Sequence, residues 1–284
     1  MAAAFAKASS SDETMTGLFR RLLLALPLLL PVEASGALAA PATDCRQESM
    51  DYLKTLAPGG FAIYSRMNDK PFFFQWLKCA DIQLGLSTAV HESVHHLTHA
   101  RDAFPLIDHG ELRRPHEVSA FFPPSVIATK FDRDDPFVST YLGPGRASSA
   151  SDFLYLLDEM NAYTHDLSVA IALNGLRPAN EYVDHRDGLA ALMAFVAAYL
   201  ETAEHKDPLA WSGLRKPEVA KTVAALWGQA ETVMTRSCAI ANFGSRDRGY
   251  IRHFCGDRPR SSLRQILGRA PMCPAECLQV AHNS

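Results

Sequence analysis

Residues 81–101 read DIQLGLSTAVHESVHHLTHAR. Asp81 is a side-chain acceptor placed to cap the free N–H groups at a helix start. Leu86, Val90, Val94 and Leu97 recur at spacings of four, four and three, which gives the predicted helix one apolar, core-facing stripe. His91 and His95 lie beside that stripe, one turn apart, where two imidazoles can share one cation. Glu92 sits about 100° round the helix from His91 and can address a water activated by that cation. The pattern HExxH fixes only three residues, so its surroundings must supply the rest of the site.

A catalytic zinc takes three protein ligands and keeps one position open. The extended pattern HExxHxxGxxH places glycine at 98 and histidine at 101, but this chain has Thr98 and Arg101 there. On a continuous helix His99 lies ~12 Å along the axis from His91, too far to share its ion. His96 and His99 therefore read as a polar helix face. A second helix is predicted from Ser151 or Asp152 to Leu173, ended by Asn174-Gly175, with Phe153, Leu157, Met160, Leu167 and Ile171 as its stripe. It carries Asp158 and Glu159 beside that stripe, where a carboxylate is costly unless paired or bound to metal. Tyr155, Tyr163 and Asp166 share a helix face with Glu159, at spacings of four, four and seven. Glu159 is the expected third ligand. Asp158 as the ligand, and a merely solvated Glu159, stay open at this point. Neighbouring acids and phenols would hold the ligand imidazoles by their second nitrogen, or stabilise charge on a substrate.

With these two helices the chain resembles the gluzincins, zinc peptidases whose HExxH helix is joined by a glutamate from a later helix. The matching residues are His91, Glu92, His95 and, 64 residues after His95, Glu159. Many members place an aspartate four residues after the ligand glutamate; this chain has Tyr163. The resemblance implies Zn²⁺ held by His91, His95 and Glu159, and hydrolysis of peptide amide bonds. Glu92 would take a proton from the attacking water and deliver it to the leaving amine. An oxyanion needs a donor, and Tyr155, Tyr163, Tyr141 and His253 are candidates in that order. The alternative is a non-catalytic metal-binding or interaction protein on a zincin-like scaffold. Such a protein has no need of an acid between the histidines, so Glu92 favours the enzyme.

The remaining elements predict an α+β, zincin-like fold, with a small twisted β-sheet beside the HExxH helix and a mainly helical C-terminal half. Phe61-Ala62-Ile63-Tyr64, a turn at Asn68-Asp69-Lys70-Pro71, and Phe72-Phe73-Phe74-Gln75-Trp76 read as a β-hairpin. Residues 104–150 read as extended pieces, such as 118–122 and 137–141, joined by long loops along a cleft. Later helices are predicted over 187–203 and 217–236, followed by a basic, irregular tail from Cys238 stapled by disulfides. Three segments result: 1–39, an extension and signal peptide; 40–150, an α+β part; and 151–284, a helical part with the third ligand.

Arg20-Arg21, the apolar run 22–32 and Ala37-Leu38-Ala39 have the layout of a secretory signal, with translation starting at Met15 and cleavage near Ala39. A secreted or periplasmic location is expected. The six cysteines then predict disulfides, with Cys45–Cys79 as one pair and Cys238, Cys255, Cys273 and Cys277 linked among themselves. A net charge of −3 points to neither nucleic acid nor an acidic membrane surface, and Arg113-Arg114 read as solvated surface. No other apolar run is long enough to span a bilayer. The expected partner is a peptide or protein substrate, cell-wall peptide included.

Overall fold

Asp81 caps its helix as predicted: its carboxylate accepts from Leu84 N at 3.0 Å. The chain leaves that helix at Asp102, in left-handed backbone with φ of 50°. The computed structural model describes residues 45–279 apart from 147, 178 and 179, all within one compact unit, Thr43–Ser284. In chain order these residues form α1 (Cys45–Leu56), α2 (Pro58–Arg66), α3 (Lys70–Phe74) and α4 (Ile82–Arg101). Strands β1 (Ala103–Pro105) and β2 (Glu111–Arg113) follow, then α5 (Phe153–Ala172), α6 (His185–Lys206), α7 (Pro208–Leu214) and α8 (Pro217–Ser237). The chain continues through α9 (Asp247–Phe254), α10 (Asp257–Leu267) and α11 (Ala275–Leu278).

Helices dominate, and two apolar clusters hold them. The first joins Leu53, Ile63 and Phe73 of α1–α3 to Leu86, Val90, Val94 and Leu97 of α4, and to Ala162 and Val169 of α5. The second surrounds α6, whose residues 185–203 are all buried. That helix is apolar on every side along Leu189-Ala190-Ala191-Leu192-Met193-Ala194-Phe195-Val196, so it runs through a core rather than along a surface. Helices α5, α7, α8, α9 and α10 pack round it. Leu157, Met160 and Leu167 of α5 join this second cluster, so α5 belongs to both.

Asp152 starts α5 by accepting from Tyr155 N at 2.9 Å. Helices α4 and α5 run antiparallel. Gln83 donates to the Ala170 carbonyl at 2.8 Å, and further along His95 meets Asp158. The one sheet among the described residues is the antiparallel pair β1–β2, in register Ala103↔Arg113, Phe104↔Leu112 and Pro105↔Glu111. It packs beside α4, and the Pro105 carbonyl accepts from Asn161 Nδ2 at 3.0 Å and His165 Nε2 at 3.1 Å. A small sheet beside the HExxH helix is therefore present, compatible with α+β.

Its residues are not the ones predicted. The expected hairpin over 61–76 is instead α2 and α3. Asp69 accepts from Phe72 N at 3.2 Å, and Pro71 sits in the first turn of α3, so Asn68-Asp69-Lys70-Pro71 starts a helix. Gly60 lies inside α2 because a Cβ there would stand 2.7 Å from Val169 Cγ2; the glycine lets α2 approach α5 closely. The expected extended pieces 118–122 and 137–141 are helical as well, in a 3₁₀ turn at His116–Ala120 and a π-helical turn at Val138–Leu142. The tail after Cys238 is ordered into α9, α10 and α11 rather than irregular.

The disulfides are Cys45–Cys79, Cys238–Cys277 and Cys255–Cys273, in agreement with the expected grouping. The first ties the start of α1 to the loop that feeds α4. Three disulfides fit an extracellular or periplasmic protein. Among the described residues no helix is long and apolar enough to cross a membrane. The expected signal peptide and its cleavage point lie outside the described residues.

Candidate metal centre

The antiparallel contact of α4 and α5 brings one turn of each helix face to face. His91 and His95 project from α4 towards Glu159 of α5. His91 Nε2 and His95 Nε2 are 3.2 Å apart, and Glu159 Oε2 lies 3.7 Å from the first and 3.5 Å from the second. The last two distances are long for hydrogen bonds. They match ligands that share an ion, since atoms ~2.0–2.1 Å from a tetrahedral zinc stand about 3.3 Å from one another.

Proton bookkeeping supports the same conclusion. His95 Nδ1 is 2.7 Å from Asp158 Oδ2, so Nδ1 carries a proton and a bound cation would meet the other nitrogen, Nε2. Burial, with the charge of His95 beside it, holds the His91 pKa well below the ordinary histidine range. The two Nε2 atoms can share one proton, but Glu159 Oε2 stays buried without a hydrogen-bond partner. A cation between the three atoms satisfies all of them at once. His91, His95 and Glu159 are thus a group that could hold a metal ion. Burial opposes a charge on His95, yet Glu159 and Asp158 outweigh it and raise its pKa well above the usual value. Positive charge is favoured at this point between α4 and α5.

The other predicted residues are arranged round the triad. Glu92 is half-buried; burial raises its pKa, the His95 charge opposes this, and the Glu159 charge adds a smaller push upward. Tyr155 is half-buried near Glu159, and burial followed by the Glu159 charge pushes its phenol well up. The Tyr163 ring packs edge-on against His91, with ring centres 4.6 Å apart. Its hydroxyl is 2.7 Å from that of Tyr141, which the π-helical turn presents. Burial first, then nearby charge, raises both of these phenols.

Other residues fall elsewhere. His253 lines a different cavity, with Lys130, Phe131, Asp135, Arg246 and Tyr250. Asp166 shares a face with Glu159 in sequence, but it pairs with His185 Nδ1 at 2.7 Å rather than with a ligand imidazole. His99 is exposed, and the His96 ring packs on Phe72 at 5.1 Å. The residue that sequence reasoning weighed only as a ligand is Asp158, which contacts the outer nitrogen of His95 instead. Its signal was present in the sequence: a second carboxylate beside an apolar stripe, one residue from the ligand.

The chain matches no family model, no curated protein and no solved structure.

Proposed function

We propose that the protein is an exported zinc-dependent hydrolase that cleaves peptide amide bonds, built on the gluzincin ligand plan. The observation that carries this is the meeting of His91, His95 and Glu159 at one point, with Glu92 next in the chain to a ligand. Two imidazoles and one carboxylate suit zinc and leave a fourth position free. When bound, the ion supplies Lewis-acid polarisation of a carbonyl and of a water.

The chain's own residues do the remaining work. Glu92, its pKa raised by burial and its place in the chain next to a ligand, is suited to take a proton from water and return it to the leaving amine. Tyr155 keeps its proton at neutral pH and can donate it in a hydrogen bond to an oxyanion. Tyr163, backed by Tyr141, seats the His91 ring and holds a second phenolic proton close to the triad. Peptides or proteins, cell-wall peptide included, are the proposed substrates. The three disulfides support export.

One observation favours a metal-binding role without turnover: the His91 and Glu159 side chains are only 11% and 6% exposed. Glu92→Gln separates the two roles. In the enzyme this change leaves zinc content at one per chain and lowers hydrolysis of a peptide or peptidoglycan library about 10²–10⁴-fold. Stoichiometric zinc with no hydrolysis by the parent on any such library supports the binder. Metal analysis that finds no zinc in the purified parent rejects both.

A further inference from the structure

We propose that Asp158 is the positioning residue of the metal centre, holding His95 in the one tautomer and ring orientation that turn Nε2 to the point shared with His91 and Glu159. This role presupposes the metal centre proposed above. Asp158 is 1% exposed, and its Oδ1 has no hydrogen-bond partner. A carboxylate buried in that state on an apolar helix costs stability, so its retention calls for a compensating contact. The compensation is at Oδ2, 2.7 Å from His95 Nδ1. The other imidazole near Oδ2, that of His99, is 3.9 Å away and mostly exposed.

Helix geometry explains why one segment can do both jobs. Successive residues on α5 point about 100° apart. Glu159 therefore faces the two Nε2 atoms while Asp158 reaches Nδ1, on the far edge of the His95 ring. A metal-ligating imidazole is oriented by what its second nitrogen donates to, and a carboxylate also strengthens it as a ligand. The two imidazoles are held by different means. Among the described residues, Glu159 is the only carboxylate within ion-pair distance of the His91 ring. That ring is seated by Tyr163 instead, and Tyr163 fits because residue 188 is glycine: a Cβ there would stand 2.1 Å from Tyr163 Cε1. Charge orients one ligand and shape orients the other.

The test uses the full chain, with zinc affinity read by competition against a chromophoric chelator at fixed pH. Asp158→Asn preserves size and an acceptor oxygen but removes the charge. The expected result is zinc binding about 10- to 100-fold weaker than in the parent. The thermal midpoint of the metal-free protein should fall, because His95 loses its charged partner, so affinity and spectrum are compared on folded protein. The visible absorption of the cobalt-substituted variant should shift as the ligand field at His95 changes. An affinity equal to the parent's, with an unshifted cobalt spectrum, overturns the proposal. A parent that takes up no zinc removes the metal centre itself, whereas a zinc-binding parent beside an equally zinc-binding variant removes only the role of Asp158. Should the variant not fold, nitrogen-15 NMR of the zinc-loaded parent decides. A slowly exchanging His95 Nδ1–H with metal on Nε2 sustains the proposal, and metal on Nδ1 or a freely exchanging Nδ1–H overturns it.

Discussion

Two imidazoles, half-buried His95 and buried His185, each give Nδ1 to an aspartate at 2.7 Å, and their surroundings make them differ. At His95 the second nitrogen faces Glu159 and His91; at His185 it is buried with no partner. His185 is thus a structural pair with Asp166. Burial opposes its charge, but Asp166 first, then Asp184 and Asp81, raise its pKa above the ordinary histidine value. A raised pKa stabilises the fold fully below the unfolded value of about 6.5. That contribution fades as pH climbs through the higher folded value. Asp166→Asn should therefore cost on the order of 3 kcal/mol near pH 6. The gap from the parent should narrow as pH rises to 9. Urea unfolding curves across that range measure it, and a gap that widens with pH would contradict the assignment.

At the scale of elements, α6 sets how closely α5 can approach it. Gly188 makes that contact, and the Tyr163 ring fills the space a side chain would need. Gly188→Ala should destabilise the protein by about 1–3 kcal/mol, by overpacking a closed site. It should also weaken metal binding, because the displaced ring is the one seated on His91; chemical denaturation and zinc titration of the same variant check both effects. Long helices were legible in the sequence. The predicted spans of α4, α5 and α8 agree with the structure to within a residue or two because caps and stripes point the same way. The short aromatic runs were not. Phe72-Phe73-Phe74 satisfies strand and helix propensity equally, and only Phe73 becomes fully buried. What decides it is Asp69 as a cap with Pro71 in the first turn, a pair that also marks turns. At the site, His91 and His95 could be read from helix spacing, and Glu159 from the cost of a carboxylate beside an apolar stripe. The partner of Asp166 could not, because His185 comes from α6, and one-helix geometry says nothing about which neighbour packs alongside.

For the whole molecule, the triad spans two helices that are distant in sequence, so metal and fold should be thermodynamically linked. Zinc at about 100 times its dissociation constant should raise the unfolding free energy by ~2.7 kcal/mol. A chelator should reverse that gain, and Glu159→Gln should reduce it. Calorimetry with and without zinc measures the effect; identical midpoints would argue against a specific site. The Cys45–Cys79 bridge acts on the same region by a separate route, as it fastens α1 beside the start of α4 whether or not an ion is present.

The double membership of α5 has a mechanical consequence. One side of this helix belongs to the α4 cluster and the other to the α6 cluster, so it transmits packing changes between them. Any displacement of α5 that follows a change in the α6 packing would carry Glu159 and Asp158 with it. The first moves relative to the ion-binding point and the second relative to the His95 ring. Substitutions deep in the α6 core, which touch none of the three, would thus disturb the His91–His95–Glu159 group from a distance.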